Sequence, residues 1–381
     1  MSVKLFEPLI IRGVTLPNRV VISPMCMYAA EEGHLTPFHH THYGKFAFGG
    51  AGLTFVEATA VTPEGRISNG CPGIWSDDHI ESFRPVTRQI REMGFKSALQ
   101  LAHAGRKAAT QRAWQGNGPL TQENLDAGDK VWEVIGPSPV PFDAGWLIPR
   151  EMTRADMDAV RDAFVAGAGR AMQAGFDLVE LHMAHGYLMQ SFLTPLANHR
   201  TDDYGGSLEN RMRFPLEVAR AVRAVLPEDV PLFARISATD WIDGGFEPED
   251  AVVLAAALKA AGVDVVDTSS GGNMLHGATN ANLKRGPAYQ AHLARQLRAE
   301  TGVMTQTVGL IRTPELAEEL LQEGAADLIA IGRQALFNPY WAHHAAERLG
   351  VTDWDHWPAP YAWWLSKWAR GLEHTGEAPL A

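Results

Sequence analysis

Cysteine is scarce in this chain: Cys26 and Cys71 are the only two among 381 residues. That is too few for a disulfide framework, a four-thiolate metal site or an iron–sulfur cluster. No apolar run reaches eighteen residues, so nothing in the sequence reads as a membrane span. The start, MSVKLFEPLIIRG, lacks the apolar core and small-residue cleavage site of a secretory signal. Basic character is missing as well. The formal net charge is −11 and Lys and Arg are scattered, which offers no stripe to a nucleic acid and no cluster to an anionic membrane. With reduced thiols as the default state, the expected setting is cytoplasmic. A Gly-x-Gly-x-x-Gly turn after an early strand is also absent, which argues against a doubly wound dinucleotide-binding sheet.

What is present is alternation. Short apolar, β-branched runs at 20–23, 53–59, 96–101, 178–182, 232–237, 263–269, 304–308 and 328–331 read as eight strands, several apolar on both faces. Amphipathic stretches follow them. Thr153 caps one that carries Met157, Val160, Phe164, Ala168 and Ala171 at helical spacing, and Thr313-Pro314-Glu315 opens another. Eight such units predict one (β/α)₈ barrel, a single domain over 1–381. Two segments stand outside the repeat. A Trp-, Pro- and Gly-rich tract at 114–149 is an inserted loop after strand three, placed to cover the barrel mouth. From about 350 the chain is an aromatic tail with Trp354, Trp357, Tyr361, Trp363, Trp364 and Trp368, suited to docking on the barrel or a neighbouring subunit.

Barrel active sites lie at the C-terminal strand ends, and there the polar residues gather. The ends carry Ser23-Pro24-Met25-Cys26-Met27-Tyr28, Glu57-Ala58-Thr59, Gln100 with His103, His182-Met183-Ala184-His185-Gly186-Tyr187, Arg235 with Ser237, Ser269 to Gly272, Gly309, and Gly332-Arg333. The last two loops are where such barrels commonly hold phosphate, through glycine backbone and a guanidinium. His182 and His185 also have the HxxH spacing of metal ligands, and a metal-dependent barrel hydrolase is the alternative reading.

The segments SPMCMY, EATAV with GRIS, QLAHAGRKA, ELHMAHGYLMQSFL, NHRTDDYGGSLENRMRFPLEV, VGLI and AIGR occur in order along nearly the whole chain. Together they resemble the Old Yellow Enzyme family, and Cys26 in SPMCMY resembles its thermophilic-like branch. The ending PAPYAWWLSKW is similar to that of bacterial xenobiotic reductases. The resemblance implies non-covalent FMN, reduced by NADPH or NADH, and an activated alkene as the small-molecule substrate. His182 and His185 would hold the carbonyl or nitro oxygen while hydride reaches Cβ, and Tyr187 would protonate Cα. Arg235 would lie beside the flavin N1–C2=O edge. Cys26 would adjust the flavin's redox behaviour, and Ser23, Pro24, Met25, Ala58 and Gln100 would line its ring. Gly309, Gly332 and Arg333 would take its phosphate. Tyr28 and Trp364 match substrate-pocket positions, and Arg370 matches an arginine that relatives insert into a neighbour's site. A homodimer or homotetramer is implied. His39, His40, His343 and His344 are expected at the surface or just behind the site. Dienoyl-CoA reductases share such a barrel, but two cysteines cannot supply their cluster.

Overall fold

The computed structural model describes residues 2–273, 283, 285–351, 354 and 356–376. Eight parallel strands close into a barrel: β1 (Val20–Ile22), β2 (Leu53–Ala60), β3 (Lys96–Ala102), β4 (Leu178–Met183), β5 (Leu232–Ser237), β6 (Val265–Ser269), β7 (Met304–Val308) and β8 (Leu328–Ile331). Each pairs with its sequence neighbours, and β8 returns to β1. All eight expected strands are present, with β6 starting at Val265 rather than 263.

Alternation sorts each strand's side chains between two environments. Val21, Leu53, Phe55, Ala98, Leu178, Phe233, Val265, Leu328 and Ala330 point inward and form one apolar cluster with Ile11 and Leu16. The last two belong to an antiparallel hairpin, Leu9–Ile11 with Val14–Leu16, which plugs the N-terminal end of the lumen. The opposite faces, such as Val179, Leu181, Ala234 and Ile236, pack under the surrounding helices. Those helices are α1 (Pro37–Phe48), α2 (Ile80–Glu92), α3 (Arg154–Gln173), α4 (Leu208–Val225), α5 (Pro248–Ala260), α6 (Ala291–Thr301), α7 (Pro314–Gln322) and α8 (Trp341–Arg348). Thr153 caps α3 by accepting from the Asp156 N–H. At α7 the proline takes the first position as expected, but the Thr313 hydroxyl makes no capping bond.

The inserted tract is ordered by local pairing. It carries a short helix, Gln122–Asp126, and its second part is closed where Ile135–Gly136 pairs with Arg150–Glu151 just beyond the tract. Downstream, α9 (Ala359–Thr375) holds the aromatic tail, with Trp363, Trp364 and Trp368 exposed. Among the described residues no helix is long and apolar enough to cross a membrane.

A filled lower lumen leaves only the C-terminal mouth for chemistry. Phe233 is fully buried, with its ring centre 6.0 Å from that of Phe55. Phe233→Ala is expected to lower unfolding stability by about 3–5 kcal/mol in urea. A loss below about 1 kcal/mol would mean that this layer is not close-packed.

Candidate active site

Strand register decides which polar residues meet above that apolar layer. His182 pairs with Arg235, Arg235 with Asp267, and Asp267 with Gln306 across β4 to β7. Gln100 of β3 pairs with Glu180 of β4, and its amide donates to Glu180 Oε1 at 2.7 Å. Arg235 is 6% exposed; its Nη1 donates to Ser23 Oγ at 3.0 Å, and its Nε lies 3.3 Å from Asp267 Oδ2 without an aligned bond. Desolvation, reinforced by Asp267, pushes Glu180 well above the carboxylate range against the pull of Arg235. Asp267 is raised by desolvation too, with Arg235 drawing it back. The floor of the mouth therefore carries a fixed cation beside carboxyl groups held toward neutrality.

At the rim, β4 runs into a turn that brings His182, His185 and Tyr187 together. The two imidazole centres are 5.2 Å apart, and the Tyr187 ring is 5.0 Å from that of His182. Burial, then the cation of Arg235, holds both histidines well below their usual pKa, so both rings are neutral at pH 7. His182 Nδ1 accepts from the Ala184 N–H at 3.3 Å, which leaves the proton on Nε2 as a donor. His185 Nε2 lies 2.7 Å from Ser269 Oγ. Burial, followed by Cys26 and Cys71, raises Tyr187 well above its usual value, so the phenol keeps its proton. Cys26 is likewise raised, by burial and then by Cys71 and Glu57, which disfavours the thiolate a nucleophile needs.

Next to this rim is a cavity of about 420 Å³. Its wall takes Arg235 and Ser269 from the barrel, the 308–312 loop including Gly309 and Arg312, the 330–334 segment including Gly332 and Arg333, and Tyr289 and Gln290. Gly309 has φ +128°, and a Cβ there would stand 2.9 Å from the Tyr289 ring. Only glycine fits this turn without strain. Gln290 braces it, donating to the Val308 carbonyl at 2.7 Å while accepting from Ser270 Oγ. Two glycine turns and the guanidinium groups of Arg235, Arg312 and Arg333 on the wall of one cavity suit a phosphorylated ligand.

Residues 4–351 match the profile of the NADH:flavin oxidoreductase / NADH oxidase family. The chain belongs to that family. It is 47% identical over 354 residues to an NADPH dehydrogenase of Bacillus pumilus, a match covering 92% of this chain and 97% of the relative. Identity is 45% to an NADPH dehydrogenase of Bacillus subtilis, over 92% and 96% of the two chains. Among solved structures, morphinone reductase superposes with a TM-score of 0.74 at 27% identity, over 91% of this chain and 89% of that one. An old yellow enzyme homologue from Zymomonas mobilis gives 0.74 at 26% identity, over 90% and 92%. A 2-naphthoyl-CoA reductase gives 0.79 at 25% identity, and this chain spans 52% of its length. The protein is thus an Old Yellow Enzyme-type oxidoreductase whose cofactor is FMN, with NAD(P)H as reductant. The residues present fit that group. Arg235 Nε, on the cavity wall, is buried without a hydrogen bond although Asp267 lies 3.3 Å away, and the same wall carries a glycine turn that a Cβ would crowd.

Among the residues expected in this flavin oxidoreductase site, Arg235, Gly309, Gly332 and Arg333 line the cavity, and Ser23 is tied to it through Arg235. A Cβ on Gly332 would lie 3.6 Å from Met25 Sδ, which places the β1 loop against the same wall. Tyr28, Cys26 and Tyr187 pack against one apolar cluster that includes Ala58. Trp364 is not brought in: it is 67% exposed on α9, outside the cavity wall. His343 is not a surface residue, being buried with Nε2 2.7 Å from the Phe48 carbonyl and its ring stacked on Trp357. His39 is buried as well, behind the site, with Nε2 3.6 Å from Glu57. The HxxH pair gains no further ligand: among the described residues no group of three or more His, Cys, Asp or Glu side chains could hold a metal ion.

Several residues of the site went unassigned in the sequence, among them Arg312 on the cavity wall, Lys107 and Glu57. Lys107, in QLAHAGRKA, reaches the β4 turn. Glu57, in EATAV, carries the β1 loop. The pairing of β2 with β3 shifts register between Val56 and Thr59, an irregularity of the kind that re-aims side chains beside active sites. Glu57 Oε2 accepts the Met27 N–H at 2.7 Å, and Oε1 accepts from the Tyr43 hydroxyl at 3.1 Å. Burial pushes Glu57 up to about 7. Nearby His39, brought down to about 4 by burial, offers no compensating charge at neutral pH.

A raised carboxyl stabilises the fold fully below its unfolded value, and that contribution is lost as pH rises through the folded one. For Glu57 the window runs from 4.5 to about 7. Relative to Glu57→Gln, the wild-type protein is expected to lose on the order of 3 kcal/mol across that window in urea unfolding. A pH-independent difference between the two across that window would show that folding does not raise the Glu57 carboxyl above its unfolded value.

Proposed function

We propose that the chain is an FMN-dependent ene-reductase that uses NAD(P)H to reduce α,β-unsaturated carbonyl or nitro compounds. The observation that carries this reading is one rim where a neutral imidazole donor and an un-ionised phenol stand beside a fixed guanidinium. Bound FMN supplies a two-electron hydride relay. In this reading Gly309, Gly332, Arg312 and Arg333 hold its phosphate. Arg235 sits at the pyrimidine edge, where a cation favours negative charge. Ser23, Pro24, Met25, Cys26, Ala58 and Gln100 form the bed of the ring.

The remaining work belongs to the β4 turn. His182 Nε2–H donates to the substrate's carbonyl or nitro oxygen, and His185 is the second ring at that position. A neutral donor strengthens its bond as negative charge builds on that oxygen. Tyr187 then releases its phenolic proton to Cα. Tyr28 shapes the substrate side of the pocket. The known structure of morphinone reductase with tetrahydroNAD supports a site open to a nicotinamide. One site would then serve reductant and alkene in turn, with ping-pong kinetics. The exposed tryptophans of α9 favour a homodimer or homotetramer, in which Trp364 and Arg370 would face a neighbouring subunit.

The purified protein should show a flavin absorption band at one FMN per chain. NADPH without oxygen should bleach it, and 2-cyclohexenone should restore it. Tyr187→Phe is expected to stay yellow and slow that restoration by about 10²–10⁴-fold. His182→Ala should cost about 10²–10³-fold at the same step. A colourless protein holding stoichiometric zinc would overturn the reading in favour of a hydrolase. A flavin that NADPH reduces and no activated alkene reoxidises would contradict the substrate class.

A further inference from the structure

The turn that presents His185 and Tyr187 is held in an unfavourable backbone shape. His185 has φ +62° and Gly186 +75°, and the facing loop after β6 has Gly271 at +71° and Gly272 at +103°. The two loops touch through bare backbone. A Cβ on Gly186 would fall 2.2 Å from the Gly272 carbonyl, and one on Gly272 would fall 2.4 Å from His185 Cα. A non-glycine residue in the left-handed region costs free energy and persists only where its surroundings enforce it.

Two side chains that the proposed chemistry does not use supply that enforcement. Lys107 Nζ donates to the His185 carbonyl at 2.7 Å and to the Gly272 carbonyl at 3.1 Å, which bolts the loops together. Asp240, fully buried just beyond β5, accepts four hydrogen bonds. Its Oδ1 takes Gln190 Nε2 at 2.7 Å and Asn273 Nδ2 at 2.6 Å; its Oδ2 takes Thr194 Oγ1 at 2.5 Å and the Phe246 N–H at 2.9 Å. Gln190 passes the constraint on, because its Oε1 accepts the Gly186 N–H at 2.7 Å. Asn273 passes it the other way, its carbonyl accepting from Arg106 Nη2 at 2.7 Å. Arg106 and Lys107 are adjacent residues after β3, so the loops after β3, β4, β5 and β6 form one closed network.

The geometry points to Lys107 and Asp240 as positioning residues that jointly fix the His185–Tyr187 turn, and with it the substrate-oxygen and proton-donor geometry. The inference rests on the ene-reductase reading and deepens it. The four donors around Asp240 explain why a carboxylate is needed. An asparagine of the same shape would turn its own N–H₂ against two of them, so Asp240→Asn breaks the network without creating a cavity. Lys107→Met keeps the length of the side chain and removes what Nζ supplies: the two carbonyl bonds and its contacts over the Phe142 and Tyr187 rings at 4.4 and 4.9 Å.

Both variants should be made in the FMN-loaded full chain and read in two ways. Amide hydrogen exchange in the peptide covering 184–188 is expected to speed up by about tenfold or more, with the barrel strands unchanged. Reoxidation of the NADPH-reduced protein at saturating 2-cyclohexenone is expected to slow by roughly tenfold to a hundredfold, with FMN content unchanged. Exchange at the wild-type level in Lys107→Met would overturn the inference, as would fast exchange with reoxidation at the wild-type rate. If Asp240→Asn does not fold, Lys107→Met decides alone. Should the wild-type protein itself fail to react with the enone, the ene-reductase reading falls, while the exchange data still judge the clamp.

Discussion

Everything in this protein follows from closing eight parallel strands on themselves. Closure leaves no free edge, fixes every register, and turns alternate side chains into a lumen that must be filled. The lower layer is filled by Val21, Phe55, Leu178, Phe233 and their neighbours, with Ile11 and Leu16 of the hairpin as a plug. Polar inward positions are therefore confined to the upper layer, and the same register that packs Phe233 sets Arg235 between His182 and Asp267. The site is a consequence of the barrel, not an addition to it.

Electrostatics completes the design. The upper layer combines the Arg235 guanidinium, carboxyl groups that desolvation pushes toward neutrality, and imidazole and phenol groups at the rim that burial keeps uncharged. In the proposed reaction, neutral imidazole and phenol donors would raise no large charge penalty against an uncharged substrate and would gain strength only as negative charge develops. Arg235 provides a fixed positive field at low cost in reorganisation, because its partners are already in place.

Much of this was legible in the sequence, for identifiable reasons. Runs such as LVELHM and LFARIS are buried on both faces, so their β-branched and apolar character marks them as barrel strands without reference to neighbours. Polar residues at their C-terminal ends then located the mouth. The hairpin at 9–16 escaped because strands of three residues carry too little periodicity to register. Lys107 and Asp240 escaped because their importance lies in bonds to loops far along the chain, and a lysine or an aspartate in a loop ordinarily reads as surface. His343, expected at the surface or just behind the site, is sealed in by Trp357 from beyond α8, a contact that local sequence does not reveal. Trp364 differs: the resemblance assigns it to a substrate pocket, and within a single chain it lies largely in solvent.

The central claim is that the cavity between Arg235 and Gly332-Arg333 is the flavin site and that the rim of His182 and Tyr187 faces the reacting side of the ring. A crystal structure of the yellow protein tests it most directly. The account predicts FMN phosphate against the Gly309 and Gly332-Arg333 backbone, the pyrimidine edge against Arg235, and one ring face open toward His182 and Tyr187. Flavin bound elsewhere, or bound there with that face closed off from the β4 turn, would contradict it.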